Sequence, residues 1–356
     1  MTAIRTRSFA RAGLLGNPSD GYFGKTLSFT FTQFGVDLTL TESSRIRFQQ
    51  GEVDDATFAS LDEMARNLRL YGYYGGIRLL KATTKRFFDY CCERGIALSD
   101  RNFAVEYKIN IPRLVGLSGS SAICSAMLKA LMRFYDVEIP LEIQPTICLE
   151  AEREELGINC GFQDRVIQVY NGLVFMDFDR AFVEANNRGK YERLDPVLPN
   201  LYVAYDVHRA EESGKAHQKV KRLFEAKNAD VVAAMSEFAD IAQRGRDLIV
   251  RAQKGGQAPD IAMLSSLVNA NFDLRDRIFQ VAEENRRMVM TARQSGASAK
   301  FAGSGGAIVG LFADDAQFQR LKADLAKIGA ETFRPTIATT ADETSEFAGL
   351  GTWRNS

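Results

Sequence analysis

Apolar and polar positions follow two periods along the chain, and each change of period marks a predicted element. Over residues 5–40, runs such as TLSFTFTQF alternate with turns in the manner of strands. Apolar residues then recur at helical spacing over residues 56–95, with a break at YGYYGG. The run FAVEYKINIP predicts a further strand, which Pro112 ends because proline cannot donate to a sheet.

The segment after Pro112 has apolar residues at helical spacing, which predicts a helix that ends near Asp136. Residues 141–171 also have a mainly helical pattern, and the strand-like run GLVFMDF follows them. The character changes after residue 195, where NLYVAYDV predicts a buried strand and long charged helices follow. The chain then shows strand, glycine-rich turn and strand (SAKFAGSGGAIVGLF), followed by a helix and a strand (ETFRPTIAT). This order predicts an α+β fold with two domains, 1–195 and 196–356.

Composition narrows the class of protein. Lys+Arg and Asp+Glu both number 45 in 356 residues, so bulk charge favours neither nucleic acid nor membrane as a partner. The five cysteines show no metal-ligand spacing, which favours a reduced intracellular protein. The start has no signal-peptide core, and no apolar run reaches the ~18 residues of a membrane span. We expect a soluble cytoplasmic protein, either a monomer or a weak homodimer.

The stretch GNPSDGYFGKTLS, residues 16–28, imitates a phosphate-binding P-loop because it contains Gly-Lys-Thr. The P-loop pattern needs a glycine five residues before its second glycine, and this chain has Ser19 there. Pro18 also removes a backbone donor from the loop. The spacing argues against a P-loop and leaves a conspicuous turn without an assigned purpose.

The stretch GLSGSSA, residues 116–122, carries the strongest chemical signal. It lies between a predicted strand and an amphipathic helix, where glycines let backbone N–H groups converge. The helix N-terminus adds orphan donors and a partial positive charge, which suit phosphate, and a serine hydroxyl there suits magnesium. An ordinary glycine turn with a capping serine explains the same residues.

Two acids, Glu152 and Asp164, mark the stretch AEREELGINCGFQDRVIQVYNG. Glycines break the helical pattern between them, so we expect a helix with Glu152, a turn, and a second helix that starts near Asp164. An acid buried beside a phosphate site suits a base or a metal ligand. The alternative is that Glu152 belongs to a solvated helix face and Asp164 is an ordinary acid at a helix start.

The stretch GSGGA, residues 303–307, lies between two apolar strands and is typical of a hairpin turn. It lacks the trailing helix and distant acid of a dinucleotide-binding fingerprint, which argues against a Rossmann fold. The two histidines, His208 and His217, have no ligand spacing to a cysteine or to each other. A zinc site is therefore not expected.

These stretches, in this order, resemble the motifs of the GHMP kinases, the family of galactokinase, homoserine kinase, mevalonate kinase and phosphomevalonate kinase. RAGLLG resembles the first motif, PRLVGLSGSSA the second with one additional residue, and FAGSGGAIVG the third. Within the family, GLLGNPSDGYFGKT, GLSGSSAI, GFQDRVIQVYNGLVFMDF and SGKAH are similar to the glucuronokinase branch, which phosphorylates the anomeric hydroxyl of glucuronic acid. The resemblance covers essentially the whole chain. It implies an N-terminal domain like ribosomal protein S5 domain 2, a ferredoxin-like C-terminal domain and an active site between them.

The resemblance implies a role for each matching residue. Asp164 matches the catalytic aspartate, and Arg11 matches the basic residue that lies near it. Glu152 and Ser121 match the carboxylate and the serine that hold Mg²⁺, although the additional residue leaves Ser120 as an alternative. The ATP phosphates would be bound by the loop Gly116, Leu117, Ser118, Gly119, Ser120, Ser121 and Ala122.

The turn that imitates a P-loop is expected to bind the sugar. Asn17 and Asp20 lie where galactokinases have a sugar-contacting Glu-His-x-Asp turn, and Asn17-Pro18 in place of Glu-His disfavours galactose. A uronate carboxylate needs a cation, for which Arg113, Arg165, Lys25 and Lys215 are candidates. The expected substrate contacts are Asn17, Asp20, Lys25, Gln163, Arg165 and Lys215.

The expected activity is ATP- and Mg²⁺-dependent phosphorylation of D-glucuronate to D-glucuronate 1-phosphate and ADP. One alternative keeps the fold and changes the substrate to galacturonate, another sugar or a small alcohol. Another alternative is a regulator that binds sugar and ATP without turnover. Retention of Arg11, Glu152 and Asp164 together argues against the regulator, because a sensor does not need all three.

Overall fold

The computed structural model describes residues 3–49, 75–195, 197–207, 214–279 and 281–343. The side chains of residues 214–217 lie outside this description, as do the predicted helical segment 56–74 and both histidine side chains. Among the described helices, none is both long and apolar enough to cross a bilayer.

The first sheet is built around one long strand. Its members are β1 Ile4–Leu15, β2 Lys25–Ser43, β3 Arg47–Phe48, β4 Asn102–Ile109, β5 Leu173–Asp177 and β6 Lys190–Leu194. The order is β3-β4-β2-β5-β6, with β1 paired to β2. Strand β2 pairs with β5 near its start and with β4 near its end. Gly35 lies inside β2, where glycine is required because a Cβ would come within 2.8 Å of the Ser8 carbonyl.

Helices cover this sheet and bring the predicted motifs to one end of it. They are α1 Gly76–Glu93, α2 Gly119–Tyr135, α3 Gln144–Glu150, α4 Gln163–Tyr170 and α5 Arg180–Asn186, and α3 continues as a π-helical turn, Ala151–Glu155. Helix α2 is buried along most of its length. It ends at Asp136, as predicted; this residue has a left-handed backbone conformation and donates its N–H to the Met132 carbonyl.

The second sheet follows residue 195. Its strands are β7 Leu201–Tyr205, β8 Lys300–Phe301, β9 Ala307–Leu311 and β10 Glu331–Phe333. Its helices are α6 Gly214–Glu225, α7 Ala229–Lys254, α8 Ile261–Ile278, α9 Glu283–Gln294 and α10 Asp315–Ala326. The antiparallel order β10-β7-β9-β8 is the fourth-first-third-second order of a ferredoxin-like sheet. The predicted α+β fold is confirmed.

The two sheets share an apolar core. The ring of Phe31 in β2 lies 5.6 Å from Phe333 in β10, and the ring of Phe34 lies 5.5 Å from Tyr205 in β7. Buried residues of both halves belong to one contiguous cluster. The predicted domain boundary near residue 195 coincides with the change of sheet, but this packing crosses it, and the boundary stays a prediction.

Candidate active site

A cavity of about 410 Å³ lies where loops from both sheets meet. Its size is within the usual range of small-molecule sites. The turn after β1, the loop before α2 and the segment from Glu152 to Arg165 border it on one side, and α6, α8 and the glycine loop after β8 border it on the other. The stretches that the sequence singled out are therefore brought together in space.

The loop before α2 does not form an ordinary serine cap. Ser118 occupies the N-cap position in a left-handed conformation, and its hydroxyl caps no N–H of the described helix. The first-turn N–H groups are therefore left for another acceptor. Gly116 has φ +76°, and a Cβ at Gly303 would come within 2.1 Å of the Gly116 carbonyl. Glycine is thus required where the two loops touch.

Arg11 hydrogen-bonds to the loop before α2, to the glycine loop after β8 and to the predicted catalytic acid. Its side chain is 5% exposed, and its Nε donates to Asp164 Oδ1 at 2.7 Å. Its Nη1 donates to the carbonyls of Gly116 at 2.5 Å and Ala302 at 3.0 Å. The arginine therefore fixes the position of Asp164 relative to both loops.

Asp164 is held in its ionised form. Burial alone would raise the pKa of its carboxyl group, but the positive charges of Arg11 and then Arg165 outweigh burial and lower that pKa well below its usual range. The stabilisation is present above the unfolded-state pKa of about 3.9 and is lost only as pH falls below it. Asp164 is therefore a weak base but a well-placed hydrogen-bond acceptor.

Glu152 is fully buried, so its alternative assignment to a solvated helix face is wrong. Its Oε2 accepts from Arg165 Nε at 2.5 Å, and Arg165, which is 2% exposed, also donates to the Gly161 carbonyl at 3.0 Å. A buried ion pair of this kind resists removal of either partner, because the remaining charge has no water to solvate it.

Two buried oxygen atoms of the predicted metal-binding residues find no hydrogen-bond partner among the described residues. These atoms are Glu152 Oε1 and Ser121 Oγ. Ser120 borders the cavity, whereas Ser121 is fully buried, so the choice between the two serines stays open. No cluster of three or more His, Cys, Asp or Glu residues suited to a metal occurs among the described residues.

The predicted sugar-binding turn borders the same cavity. Asn17 is 3% exposed, and Asp20 accepts from the backbone N–H of Gln163 at 3.1 Å. A Cβ on Gly161 would come within 2.0 Å of the Asp20 carboxylate, so only glycine permits this contact. Gln163 Oε1 is buried without a partner among the described residues. Asn17, Asp20 and Gln163 are thus grouped as the sequence predicted.

The Asp20 carboxyl group has a raised pKa. Burial raises the pKa of its carboxyl group to about 6, and the negative charge of Asp164 adds to the increase against the opposing N–H of Gln163. A raised carboxyl pKa means that ionised Asp20 is disfavoured in the folded protein and that the group is half protonated near pH 6. Asp20 is therefore ionised, at some cost in stability, at pH 7–8.

The cations predicted to contact the substrate lie in different surroundings. Lys25 is not among the residues that border the cavity, because its Nζ donates to Gln243 at 2.8 Å and lies 3.4 Å from Asp177. Arg165 borders the cavity but is engaged by Glu152. The Lys215 side chain lies outside the described residues. Their substrate roles stay predictions, and the geometry is least favourable to Lys25.

The sequence did not single out several residues that border the cavity. Lys221 lies on α6, which packs against the predicted sugar-binding turn through the rings of Tyr22 and Phe224, 5.0 Å apart. Arg275 on α8 is 4% exposed and donates to the carbonyls of Gly303 and Ser304. Both lie in long charged helices, where a solvated face is the usual interpretation of a cation, so no local signal marked them.

Comparison with known proteins agrees with this geometry. A family model described as the GHMP kinases N terminal domain matches residues 78–172. Probable glucuronokinase 2 of Arabidopsis thaliana is 44% identical over 311 residues, 85% of this chain and 82% of the relative. Glucuronokinase 1 of the same plant is 42% identical over 314 residues, 86% of this chain and 84% of the relative.

Solved structures support the fold. Lactococcus lactis galactokinase, complexed with galactose, has a TM-score of 0.70 at 14% identity and covers 94% of this chain and 93% of its own. L. major mevalonate kinase, complexed with R-mevalonate, has a TM-score of 0.66 at 17% identity and covers 95% of this chain and 98% of its own. This chain therefore belongs to the GHMP kinase family. The similarity to the two plant glucuronokinases also confirms the predicted branch of that family.

Proposed function

We propose that this protein transfers the γ-phosphoryl group of ATP to the anomeric hydroxyl of D-glucuronate, giving D-glucuronate 1-phosphate and ADP. The observation that carries the proposal is the Arg11–Asp164 pair, which faces a phosphate-binding loop and a sugar-binding turn in one cavity. The names of the two plant relatives support glucuronate as the sugar.

Asp164, which Arg11 holds in position, orients the anomeric hydroxyl and accepts its proton. The ionised Asp164 accepts a hydrogen bond from the anomeric hydroxyl and aligns its oxygen with the γ-phosphorus. As the new O–P bond forms, the bond to ADP breaks and the hydroxyl proton passes to the Asp164 carboxylate. A weak base suffices because phosphoryl transfer has a loose transition state and an anomeric hydroxyl is more acidic than an ordinary alcohol. The N–H groups of residues 119–121 stabilise the negative charge on the phosphoryl group that is transferred.

Magnesium is the cofactor that the site suits. The unpartnered Glu152 Oε1 and the hydroxyl of Ser121 or Ser120 are hard oxygen donors of the kind that this cation prefers. These residues would hold it, and its role when bound is to neutralise charge on the phosphate oxygens. The fit rests on a buried carboxylate oxygen that has no partner among the described residues.

Lys221 is the cation best placed for the sugar carboxylate. Of the cations that border the cavity, Arg11 is bonded to Asp164, Arg165 to Glu152, Arg153 to the Cys160 carbonyl and Arg275 to the glycine loop. Lys221 is exposed, makes no ion pair with a described residue, and lies on the helix that packs against the sugar-binding turn. Arg113 borders the cavity beside the phosphate loop instead, which suits it to ATP.

ATP-dependent turnover of a sugar panel tests the proposed function. Glucuronate is expected to exceed glucose, galactose and galacturonate in kcat/KM. Preferential turnover of galacturonate or another sugar would replace the substrate but keep the kinase. Binding of sugar and ATP without turnover of any sugar or small alcohol would favour the regulator and contradict the proposal.

Removal of the Lys221 charge should abolish most of the preference for glucuronate over glucose. In Lys221→Met, kcat/KM for glucuronate should fall about 10–100-fold, the worth of one hydrogen bond to a charged group, while glucose is little affected. Lys219→Met is the matched control, because Lys219 is exposed on the same helix but does not border the cavity. Equal glucuronate preference in both variants would remove Lys221 from substrate selection.

The pH dependence should report Asp20 rather than Asp164. Protonation of Asp20 removes an acceptor for sugar hydroxyls, so kcat/KM for the sugar should fall as pH decreases through about 6. Asp20→Asn should lower kcat/KM at pH 8 and flatten this limb, whereas the titration of ATP affects both proteins equally. An unchanged limb in Asp20→Asn would assign it to another group.

We further propose that the reaction takes place in the cytoplasm and is performed by a monomer or weak homodimer. All five cysteines are free thiols, as expected in a reducing compartment. The balanced net charge supports neither a nucleic-acid nor a membrane partner.

A further inference from the structure

A buried lysine lies directly behind the sugar-binding turn. Lys300, in β8, is 1% exposed, and its Nζ donates to Asn17 Oδ1 at 2.5 Å. It also donates to the carbonyls of Gly13 at 2.6 Å and Phe301 at 2.7 Å. The three acceptors match the three donors of an ammonium group, so its hydrogen-bonding capacity is used completely.

This arrangement lowers the free energy of unfolding. None of the three acceptors is a carboxylate, and a buried charge without a counter-ion is strongly disfavoured. Burial, together with the positive charges of Arg275 and Arg11, lowers the pKa of the Lys300 amine. An apolar residue would join β8 to β1 at lower cost, which suggests that the ammonium serves a purpose other than stability.

The lysine decides which end of the Asn17 amide faces the cavity. Lys300 Nζ donates to Asn17 Oδ1, so the amide oxygen points towards the lysine. The amide nitrogen is then left over, and it makes no hydrogen bond with the described residues. Because Asn17 borders the cavity, it offers the substrate a donor and not an acceptor.

The backbone around Asn17 restricts the amide further. A Cβ on Gly13 would come within 3.0 Å of the Asn17 amide carbon, so the missing side chain gives the amide its space. Asn271 donates to the Asn17 carbonyl at 3.2 Å and accepts from Gly16 N–H at 2.6 Å. The turn is therefore held from two sides, and among the described residues Lys300 is the one that hydrogen-bonds the side-chain amide.

We propose that Lys300 is a positioning residue for sugar recognition, which acts by turning the Asn17 amide so that its NH₂ group donates to an acceptor oxygen of the sugar. This inference rests on the proposed function for the identity of the ligand, but not for the geometry. It links the third glycine-rich stretch to substrate selection, since Lys300 lies three residues before Gly303.

The kinetic test compares Lys300→Met, Asn17→Asp and the double variant. Lys300→Met should raise KM for the sugar about tenfold, the worth of one hydrogen bond, and leave KM for ATP within about twofold. Lys322→Met, an exposed lysine on α10, controls for the substitution itself. In the Asn17→Asp background, Lys300→Met should add little to the sugar KM. Full additivity, or equal loss of sugar and ATP affinity, would show a merely structural lysine and overturn the proposal.

Asn17→Asp keeps the test decisive if Lys300→Met does not fold. The new carboxylate still accepts from Lys300 and supplies its missing counter-ion, so thermal stability should be retained or increased. The NH₂ donor is lost, so the sugar KM should still rise about tenfold. An unchanged sugar KM in this variant would overturn the proposal.

A spectroscopic arm separates this inference from the identity of the substrate. The side-chain NH₂ resonances of Asn17 are assigned by their loss in Asn17→Asp, in ¹⁵N-labelled protein without ligand. Lys300→Met should shift and broaden them, whereas Lys322→Met should not. Unchanged Asn17 resonances would overturn the positioning role even if glucuronate is turned over. Conversely, failure of the sugar panel would overturn the proposed function and leave this result standing.

Discussion

Replacing Asp164 by asparagine is expected to lower kcat by ~10²–10⁴-fold, the range for a positioned acid or base. The amide keeps the shape of the side chain but loses the anionic acceptor that aligns the anomeric hydroxyl and receives its proton. Arg11 also loses its carboxylate partner at 2.7 Å, so its charge is no longer balanced beside the reacting phosphate. ATP and sugar binding, measured by calorimetry, should change much less than kcat.

A second, partly buried Arg–Asp pair supplies the control for this variant. Asp37 is 8% exposed and accepts from Arg7 Nε at 2.5 Å, but neither residue borders the cavity. Asp37→Asn therefore removes a comparable charge from a comparable arginine. It should lower thermal stability without a comparable loss of kcat. Similar kcat losses in both variants would mean that Asp164 supports the fold and not the chemistry.

Replacing Glu152 by glutamine should have the largest combined effect on stability and on the magnesium requirement. Arg165 would keep a buried charge without its carboxylate, and breaking such a pair costs about 3–5 kcal/mol of unfolding free energy. The unpartnered Oε1 would also lose its charge, which weakens a hard-cation site. The Mg²⁺ concentration for half-maximal rate at fixed ATP should rise strongly.

A double variant separates the two effects of this change. Glu152→Gln with Arg165→Met removes both charges, so unfolding free energy should recover relative to the single variant. The altered magnesium curve should not recover, because the anionic ligand is still missing. A wild-type magnesium curve in the double variant would leave Glu152 with a structural role only.

Local patterns predicted those parts of the site that depend on backbone geometry. The GLSGSSA loop and the helix that begins near Asp164 were recognisable because glycine spacing and helix starts act over a few residues. The family and its fold followed from the order of these motifs and are confirmed. The placement of Arg11 against Asp164 came only from the family resemblance, since 153 positions separate the two residues.

Pairings across the fold were beyond local patterns. Arg165 was a candidate for binding the sugar carboxylate, yet it hydrogen-bonds to Glu152, because a buried carboxylate needs a cation as its partner. Lys25 lies on the predicted sugar-binding stretch, yet its strand carries it to Asp177 on β5. No sequence pattern marked Lys300 as part of the site. Its partner Asn17 lies 283 positions away, and no periodicity carries that information.

The aromatic packing between the sheets has a consequence for synthesis of the chain on the ribosome. Phe31 and Phe34 emerge early, but their partners Tyr205 and Phe333 are made much later. Strand β2 must also wait for β5 to cover its first half. A nascent chain that ends before β5 therefore carries an open strand edge, and a complete N-terminal half still carries uncovered aromatic rings, features that favour aggregation. Final assembly of the fold is delayed until the last strand leaves the exit tunnel.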